Sequence, residues 1–237
     1  MCDLTAKPFN LFSGNILKII ALIAMTFDHI GFLLLPQYQI LRIIGRVAFP
    51  IFSYMIAEGS RYTKNRTKYL IIMVVFGVAF QIVYYVADRS LFQGVFISFS
   101  LGIALIFAIE NAIKRKNLLS VIIAVILLVF VGFVCIGLPK ILSDFGFEID
   151  YGIFGVLLPV FAYFMPNKLF KLVGVAVALV GMSLIMGGRQ WYSLIAVLLL
   201  AFYNGERGKY KMKSLFYLYY PVHLAIIYAI DNFGVLN

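Results

Sequence analysis

Apolar stretches close to 20 residues long recur from one end of this chain to the other, and they limit what it can fold into. A helix rises about 1.5 Å per residue, so about 20 apolar residues cross the roughly 30 Å hydrocarbon layer of a bilayer. Of the 237 residues, 63% are hydrophobic and only 13% are charged, whereas a soluble domain carries about 25% charged residues. The sequence therefore predicts an all-α protein, a polytopic transmembrane helical bundle that forms a single integral-membrane domain over residues 1–237.

The apolar runs predict about nine helices, within a range of about eight to ten. The predicted helices cover residues 15–35, 41–60, 69–88, 94–112, 118–138, 151–165, 168–186, 190–203 and 213–231. The sixth and eighth are short for a full crossing, so we expect them to be tilted, broken or re-entrant.

Lysines and arginines concentrate in alternate loops, which sets the predicted orientation. The loops after the second, fourth, sixth and eighth runs hold basic clusters, while "PKILSDFGFEIDYG" between the fifth and sixth runs carries three acids. Basic loops stay on the cytoplasmic side of a membrane. We therefore expect a cytoplasmic N-terminus, an external C-terminus and a multi-pass location in the cell (cytoplasmic) membrane, the inner membrane of a bacterium.

The net charge of +10 has the same origin, because most of the cations lie in these short loops. No basic and aromatic surface stands apart from the helices, so nucleic-acid binding is not expected and the lipid bilayer is the partner. Cys2 and Cys135 form no disulfide framework or metal cluster, and no metal is expected.

An acid and an imidazole interrupt the apolar stretch "AMTFDHIGFLLL", and ionisable groups inside a membrane cost about 2.5–3.5 kcal/mol each. Asp28 and His29 lie roughly 20 Å along the first helix, in its predicted outer half. The second helix begins outside, so Arg46, about two turns down, approaches the same depth and is expected to pair with Asp28. Adjacent helical residues diverge by about 100°, so His29 should face a different partner or a cavity.

The second histidine of the chain, His223, lies in "LFYLYYPVHLAIIY", near the predicted midplane of the last helix. Pro221 removes a backbone donor beside it and loosens the helix. Either imidazole could be structural and bond a neighbouring backbone. Two histidines inside the membrane, each beside further polar groups, favour a functional role instead.

Other polar residues within or beside the runs are candidates for substrate contacts or for structural hydrogen bonds. They are Tyr54 and Glu58 in the second helix, Gln81 in the third, Ser98 in the fourth, Asp150 and Tyr151 at the start of the sixth, and Tyr203 and Asn204 at the end of the eighth. Glu58 is expected to form a boundary ion pair with Arg61 or Arg66. Asn204 and the glycine after it also fit a helix C-cap.

Several segments together resemble the TraX family of membrane proteins. "LKIIALIAMTFDHIGFLLLP" and "LRIIGRVAFPIFSYMIAEGSRYTKNRTKYL" look like its opening, and "DYGIFGVLL", "FYNGERGKYK" and "FYLYYPVHLAIIY" follow in the same order. The resemblance spans nearly the whole chain. One departure is that an acid followed by proline is expected after the third helix, whereas this chain has "QIVYY" from Gln81.

The resemblance implies an activity. The founding member of the family is implicated in acetylating the N-terminus of conjugative pilin. The family is also similar to membrane acyltransferases such as the lysosomal heparan glucosaminide acetyltransferase, in which an intramembrane histidine handles the acyl group. On matching positions the resemblance points to Asp28, His29, Arg46, Glu58, Tyr203, Asn204 and His223.

The function expected from this resemblance is transfer of an acetyl group from cytosolic acetyl-CoA to an amine or hydroxyl of a peptide, sugar or lipid acceptor. His29 would be the central catalytic residue, as nucleophile or general base. Asp28 and Arg46 would position it and balance its charge, and His223 would be a second base or binding residue.

Phosphates of the donor need cations at the inner face. The residues expected to bind acetyl-CoA are Arg61, Lys64, Arg66, Lys68, Tyr203, Asn204 and Arg207. The positive-inside rule alone would also produce these basic loops.

The competing class of function is a small secondary transporter or proton-coupled carrier that uses the same buried polar residues. The sequence shows no inverted repeat and no matched pair of broken helices in its two halves, which are the usual signs of such a carrier.

Overall fold

The structure, a computed structural model, describes residues 10–209 and 213–232. Cys2 and Lys211, a cation of the eighth predicted loop, lie outside the described residues. Within those residues the regular structure is helical, with isolated bridges but no strand. The all-α prediction is confirmed.

The α-helices of the described ranges follow each other along the chain. They are α1 (Gly14–Leu33), α2 (Gln39–Gly45), α3 (Ala48–Tyr62), α4 (Arg66–Asp88), α5 (Val95–Arg115), α6 (Leu118–Gly132), α7 (Leu138–Ile141), α8 (Gly152–Phe164), α9 (Lys168–Met186), α10 (Ile195–Ala201) and α11 (Lys213–Asn232). A π-helical segment, Phe133–Gly137, joins α6 to α7, and 3-10 segments cover Ser143–Phe145 and Gly188–Leu194. Each of the nine predicted helices falls on helical structure.

Six helical stretches among the described residues are long and apolar enough to cross a membrane. They are Gly14–Leu33, Gln39–Tyr62, Arg66–Val86, Val95–Arg115, Leu118–Ile141 and Lys168–Met186. The sixth predicted helix is shorter than these, because α8 has 13 residues and spans only about 20 Å. The eighth predicted helix is the 3-10 segment Gly188–Leu194 followed by the seven residues of α10.

Helix α6 shows why this fold needs lipid around it. Apart from the buried Ser120, its side chains are apolar, and Leu118, Leu119, Ile126 and Val129 are each exposed by more than 60%. Soluble proteins rarely expose apolar patches of that extent, whereas a bilayer solvates them. The prediction of a polytopic membrane bundle is confirmed, and the predicted orientation stays a prediction.

The second predicted helix is interrupted where a continuous helix over residues 41–60 was expected. Helix α2 ends at Gly45 and α3 begins at Ala48. Pro50 explains the break, because it has no N–H to donate to the carbonyl of Arg46 and its ring crowds that carbonyl. The signal was present in "IGRVAFPIF".

The chain divides into two compact units, and each is described by itself. Unit 1 comprises residues Met1–Met55 and Ser183–Asn237, and unit 2 comprises Ile56–Met182. In unit 1, α1 packs against α2 and α11, and α2 packs against the segment Gly188–Leu194. In unit 2, α5 is central and packs against α4, α6 and α8. The single-domain assignment stays a prediction.

Candidate functional site

Two glycines let α1 and α2 of unit 1 approach each other closely. A Cβ on Gly45 would lie 2.3 Å from both Cβ and Oδ1 of Asp28, and a Cβ on Gly31 would lie 2.7 Å from Cβ of Leu41. Real Cβ atoms do not tolerate such contacts, so a larger residue would push the helices apart. These glycines belong to the "DHIG" and "IGR" motifs, and they bring the charged residues of the two helices together.

Asp28 forms ion pairs with two arginines of this helix pair. Its Oδ1 lies 2.6 Å from Nη2 of Arg46, and its Oδ2 lies 2.7 Å from Nη1 of Arg42. The three side chains are only 13–18% exposed. The predicted pairing of Asp28 with Arg46 is confirmed. Arg42 was missed, although it lies four residues before Arg46 and therefore on the same helix face.

The guanidinium of Arg46 makes further contacts that fix its position. Its Nε donates to the backbone carbonyl of Arg42 at 3.3 Å, and its Nη1 donates to Oε1 of Gln190 at 3.4 Å. Gln190 is 3% exposed. No local pattern in the sequence pointed to Gln190, because its partner Arg46 lies 144 residues earlier in the chain.

An open cavity of about 460 Å³ lies against this cluster. Its lining residues are Arg42, Arg46, Met186, Gly187, Gly188, Arg189 and Gln190. Arg189 is exposed, and its Nη1 donates to Oε1 of Gln39. Three arginines therefore face one cavity of unit 1.

The two histidines contact each other, which the sequence did not predict. Nδ1 of His29 on α1 lies 2.9 Å from Nε2 of His223 on α11, and the ring centroids are 5.0 Å apart. His29 therefore faces away from Asp28, as the helical geometry predicted. His223 is buried and His29 is partly exposed.

The backbone assigns the protons of this imidazole pair. Nδ1 of His223 lies 2.8 Å from the carbonyl oxygen of Tyr219. Because a carbonyl only accepts, Nδ1 of His223 carries a proton, and Nε2 of a neutral His223 is an acceptor. Nδ1 of His29 then donates to it, which leaves the lone pair of a neutral His29 on Nε2. That Nε2 atom makes no hydrogen bond to any of the described residues.

Aromatic side chains of α11 hold the imidazole pair in place. The ring of Tyr219 stacks on His223 with centroids 5.1 Å apart, and Tyr220 meets the ring of His29 edge-on at 6.2 Å. The hydroxyl of Tyr219 bonds to Oγ1 of Thr26 at 2.7 Å, which ties α11 to α1. The relative orientation of the two imidazoles is thus supported from both helices.

Tyr203, Asn204 and Arg207 lie around the start of α1 and not beside the imidazoles. Backbone carbonyls of Glu206 and Arg207 accept from the first N–H groups of α1, at 2.7 and 3.0 Å. His29 is about 20 Å further along the helix. The C-cap interpretation of Asn204 is wrong, because α10 already ends at Ala201. The Asn204 side chain instead accepts from the N–H of Glu206 at 2.8 Å.

Tyr54 belongs to the same part of unit 1. It is buried, and its ring meets that of Tyr203 edge-on with centroids 5.8 Å apart. The structure therefore brings Tyr54 and Tyr203 together, near the start of α1.

In unit 2, Glu58 pairs with a lysine that the sequence did not suggest. Its Oε1 lies 2.9 Å from Nζ of Lys171 on α9, and both side chains are about 90% buried, with 10% and 11% exposed. The predicted pairing of Glu58 with Arg61 or Arg66 is wrong. Lys171 was missed because its contact with Glu58 spans 113 residues of sequence.

Arg61 and Arg66 make other contacts in unit 2. Arg66 forms an ion pair with Glu110 at 2.6 Å, and the hydroxyl of Tyr163 donates to the same carboxylate at 2.7 Å. Nη2 of Arg61 donates to the carbonyl of Tyr163 at 2.5 Å. Lys64 and Lys68 are exposed. Their predicted role in binding acetyl-CoA stays a prediction.

The remaining polar candidates make local contacts in unit 2. Ser98 is fully buried and donates to the backbone carbonyl of Asp150 at 2.7 Å, which joins α5 to the turn before α8. Tyr151 in that turn has a left-handed backbone with φ of 62°. Nε2 of Gln81 donates to the carbonyl of Ser90 at 3.2 Å. These contacts fit structural roles.

Within residues 10–209 and 213–232 the structure contains no group of three or more His, Cys, Asp or Glu side chains that could hold a metal ion. The groups that the structure does assemble are an imidazole pair and a carboxylate between arginines. Such groups can transfer protons, attack a carbonyl or bind an anion.

Comparison with known proteins identifies relatives that match nearly all or part of the chain. A probable fimbrial assembly protein, FimC of serogroup H1, from Dichelobacter nodosus is 28% identical over 94% of this chain and 97% of its own length. An uncharacterized protein from Rickettsia prowazekii (strain Madrid E) is 38% identical over 42% of this chain and 38% of its own length. No solved structure is significantly similar to the chain. The family model described as "TraX protein" matches residues 13–231, so this membrane protein belongs to the TraX family.

Proposed function

We propose that this protein is a membrane-embedded acyltransferase that moves an acetyl group from cytosolic acetyl-CoA to an amine or hydroxyl acceptor. The hydrogen bond between His29 and His223 carries the proposal, because it leaves Nε2 of His29 available inside a membrane span. The resemblance of the TraX family to acyltransferases supplies acetyl-CoA as the donor. A peptide acceptor agrees with the fimbrial name of the Dichelobacter relative.

In one route, Nε2 of His29 is the nucleophile. It forms a C–N bond to the thioester carbonyl carbon, the C–S bond breaks, and CoA leaves as a thiolate that takes a proton from water. The proton on Nδ1 of the acylated His29 moves to Nε2 of His223. When the acceptor attacks the acetyl carbon, the bond to His29 breaks, His223 returns its proton to Nδ1, and the acceptor releases its own proton to water.

In the other route, Nε2 of His29 is a general base. It removes the proton from the acceptor amine or hydroxyl, which attacks the thioester directly, and the departing thiolate receives that proton. His223 holds the tautomer of His29 in both routes, because its Nε2 accepts from Nδ1 of His29.

Negative charge develops on the thioester oxygen in either route, and a positioned cation stabilises it. Arg46 supplies that cation, and Asp28 holds it in place at 2.6 Å. In this proposal Arg61, Lys64, Arg66 and Lys68 of unit 2 bind phosphates of the donor, and Tyr203, Asn204 and Arg207 of unit 1 are further donor-binding residues. The proposal places the protein in the cell membrane with its N-terminus in the cytoplasm.

The test is release of free CoA thiol by the full chain in proteoliposomes that contain acetyl-CoA and candidate acceptors. We expect His29→Ala to lower the rate at least about a hundredfold, while Ile23→Val, an exposed position on the same helix, leaves it unchanged. A burst of thiol equal to the protein concentration without acceptor identifies the nucleophilic route. Full activity of His29→Ala contradicts the mechanism, and gradient-driven solute uptake without thiol release identifies a carrier instead.

A further inference from the structure

The open cavity of unit 1 has a strongly positive lining. Arg42, Arg46 and Arg189 each contribute one positive charge, and Asp28, which bridges the first two, contributes one negative charge. These four groups sum to +2. We call the group formed by Arg42, Arg46, Arg189 and Gln190 the arginine cleft.

The backbone that carries half of the arginine cleft has a shape that only glycine adopts easily. Gly187 has φ of 64° and ψ of −165°, and Gly188 has φ of 50°. A Cβ at either position would meet no atom within 4 Å, so packing does not require glycine here. The conformation itself requires it, since the region around Gly187 is almost closed to other residues. The turn brings Arg189 and Gln190 to the cavity that Arg42 and Arg46 line from α2.

The chemistry of the arginine cleft favours an oxyanion. Guanidinium groups present planar sets of N–H donors that match the oxygens of carboxylates and phosphates. Gln190 is buried at 3% exposure, and its Oε1 accepts from Arg46, which orients that guanidinium. The volume of about 460 Å³ lies within the range of small-molecule pockets and exceeds what a single inorganic anion fills. The cleft therefore suits an anionic group carried by a larger molecule.

We propose that the arginine cleft binds a carboxylate or phosphate of the acetyl acceptor, so that the acceptors of this protein are anionic amines or alcohols. This inference deepens the proposed function and rests on it. The cleft and the reactive group share helix α1, because Asp28, which Arg42 and Arg46 contact, directly precedes His29. An acceptor anchored by its anion at Arg42 and Arg189 extends around α1, by about 100°, to bring its amine or hydroxyl to Nε2 of His29.

The acceptor fits the arginine cleft better than the donor does because of the predicted orientation. The end of α1, the start of α2 and the segment after α9 all lie on the predicted outer side, since the basic loops lie on the inner side. Acetyl-CoA approaches from the cytoplasm, with its phosphates at the opposite ends of these helices. An acceptor that comes from the outer side meets the arginines first.

Calorimetric titration of the full chain in an uncharged detergent tests the proposal without any acyl transfer. The probes are matched pairs that differ only in the anion: glucosamine 6-phosphate with glucosamine, and alanylglutamate α-amide with its glutamine counterpart. Loss of a charge-assisted contact costs about ten- to hundredfold in affinity. We expect at least one charged probe to bind about tenfold more tightly than its neutral partner, and the pair that does so tells a phosphate from a carboxylate. The fluorescence of Trp191, the single tryptophan of the chain, reports binding next to Gln190.

Arg189→Gln is the decisive variant, because Arg189 is exposed and lies outside the contacts that hold Asp28. It should remove most of the preference for the charged probe. Arg89→Gln, which changes another exposed arginine on the predicted outer side, should leave it intact. Equal binding of charged and neutral probes by the native chain overturns the proposal, as does an Arg189→Gln variant that loses affinity for CoA instead.

The two proposals fail in distinguishable ways. If charged probes bind through Arg189 but His29→Ala still transfers acetyl groups, the arginine cleft stands and the proposed mechanism is wrong. If transfer depends on His29 but no charged probe is preferred, the proposed acyl transfer is supported and the proposal of an anionic acceptor is wrong.

Discussion

Two carboxylates on apolar helices of this protein have different electrostatic settings. Glu58 in unit 2 pairs with Lys171, and the two charges cancel in a contact that is about 90% buried. Asp28 in unit 1 lies between two arginines, beside an open cavity that a third arginine also lines. The pair of Glu58 and Lys171 is neutral overall. Asp28 and the three arginines together carry a net positive charge next to the cavity.

The difference separates a structural contact from a candidate site. A buried ion pair stabilises little on balance, because desolvation offsets the attraction, but removing one partner leaves an uncompensated charge. The pair between Glu58 and Lys171 joins α3 to α9, and its two charges balance. In the proposed function, the cavity lined by Arg42, Arg46 and Arg189 takes the anion of the acceptor, and the imidazoles of His29 and His223 act on that acceptor.

The largest expected effect concerns function. Asp28→Asn removes the carboxylate between Arg42 and Arg46, and we expect acetyl transfer per folded molecule to fall about a hundredfold or more. Glu58→Gln should leave that rate unchanged within about twofold, because Glu58 pairs with Lys171 and, in the part of the chain that the structure describes, contacts neither Asp28 nor the two imidazoles. Thiol release, normalised to the monodisperse fraction from gel filtration, measures both variants. Equal losses in the two variants would break the comparison.

The next effect concerns stability. Lys171→Met or Glu58→Leu alone leaves one buried charge without its partner, which costs about 3–5 kcal/mol in the free energy of unfolding. The double variant Glu58→Leu/Lys171→Met removes both charges at similar volume and should recover most of that loss. Unfolding in detergent, followed by circular dichroism against denaturant, measures the difference. A double variant as unstable as the sum of the two single variants would show that the pair is not self-contained.

The sequence predicted much of the fold and part of the site, for physical reasons. Apolar length and basic loops report directly on how a helix lies in a bilayer, so each predicted helix falls on helical structure. Depth along a helix follows from counting residues, which is why the pair between Asp28 and Arg46 was predictable. The direction of His29, away from Asp28, followed from the helical angle.

What the sequence missed depends on which helices pack together. His29 and His223 are 194 residues apart, and nothing local says that α1 and α11 are neighbours. The partner of Glu58 was missed for the same reason. Arg42 and Pro50 are different, because local signals predict what they do. The four-residue spacing of Arg42 from Arg46 predicts the second ion pair of Asp28. The missing N–H of Pro50 predicts the helix break.

A smaller effect tests the close approach of α1 and α2. Gly45→Ala places a Cβ 2.3 Å from Asp28, so we expect a loss of about 1–3 kcal/mol in unfolding free energy and a parallel loss of transfer. Gly132→Ala in α6 is the matched control, since a Cβ there meets nothing within 4 Å. Denaturant unfolding of both variants measures the difference. A stable and active Gly45→Ala variant would mean that the Asp28 cluster tolerates a wider separation of the helices.

The smallest expected effect on stability tests the predicted donor site in unit 2. Lys64 and Lys68 are exposed, so Lys64→Gln/Lys68→Gln should change the unfolding free energy by less than about 0.5 kcal/mol. If these lysines bind the phosphates of acetyl-CoA, the KM for acetyl-CoA should rise several-fold with little change in kcat, because the contact is equally strong in the ground and transition states. Lys140→Gln, an exposed cation on the predicted outer side, is the control. An unchanged KM in the double variant would mean that these two lysines only orient the protein in the membrane. Ligand binding by charged groups would then be a property of Asp28, Arg42 and Arg46.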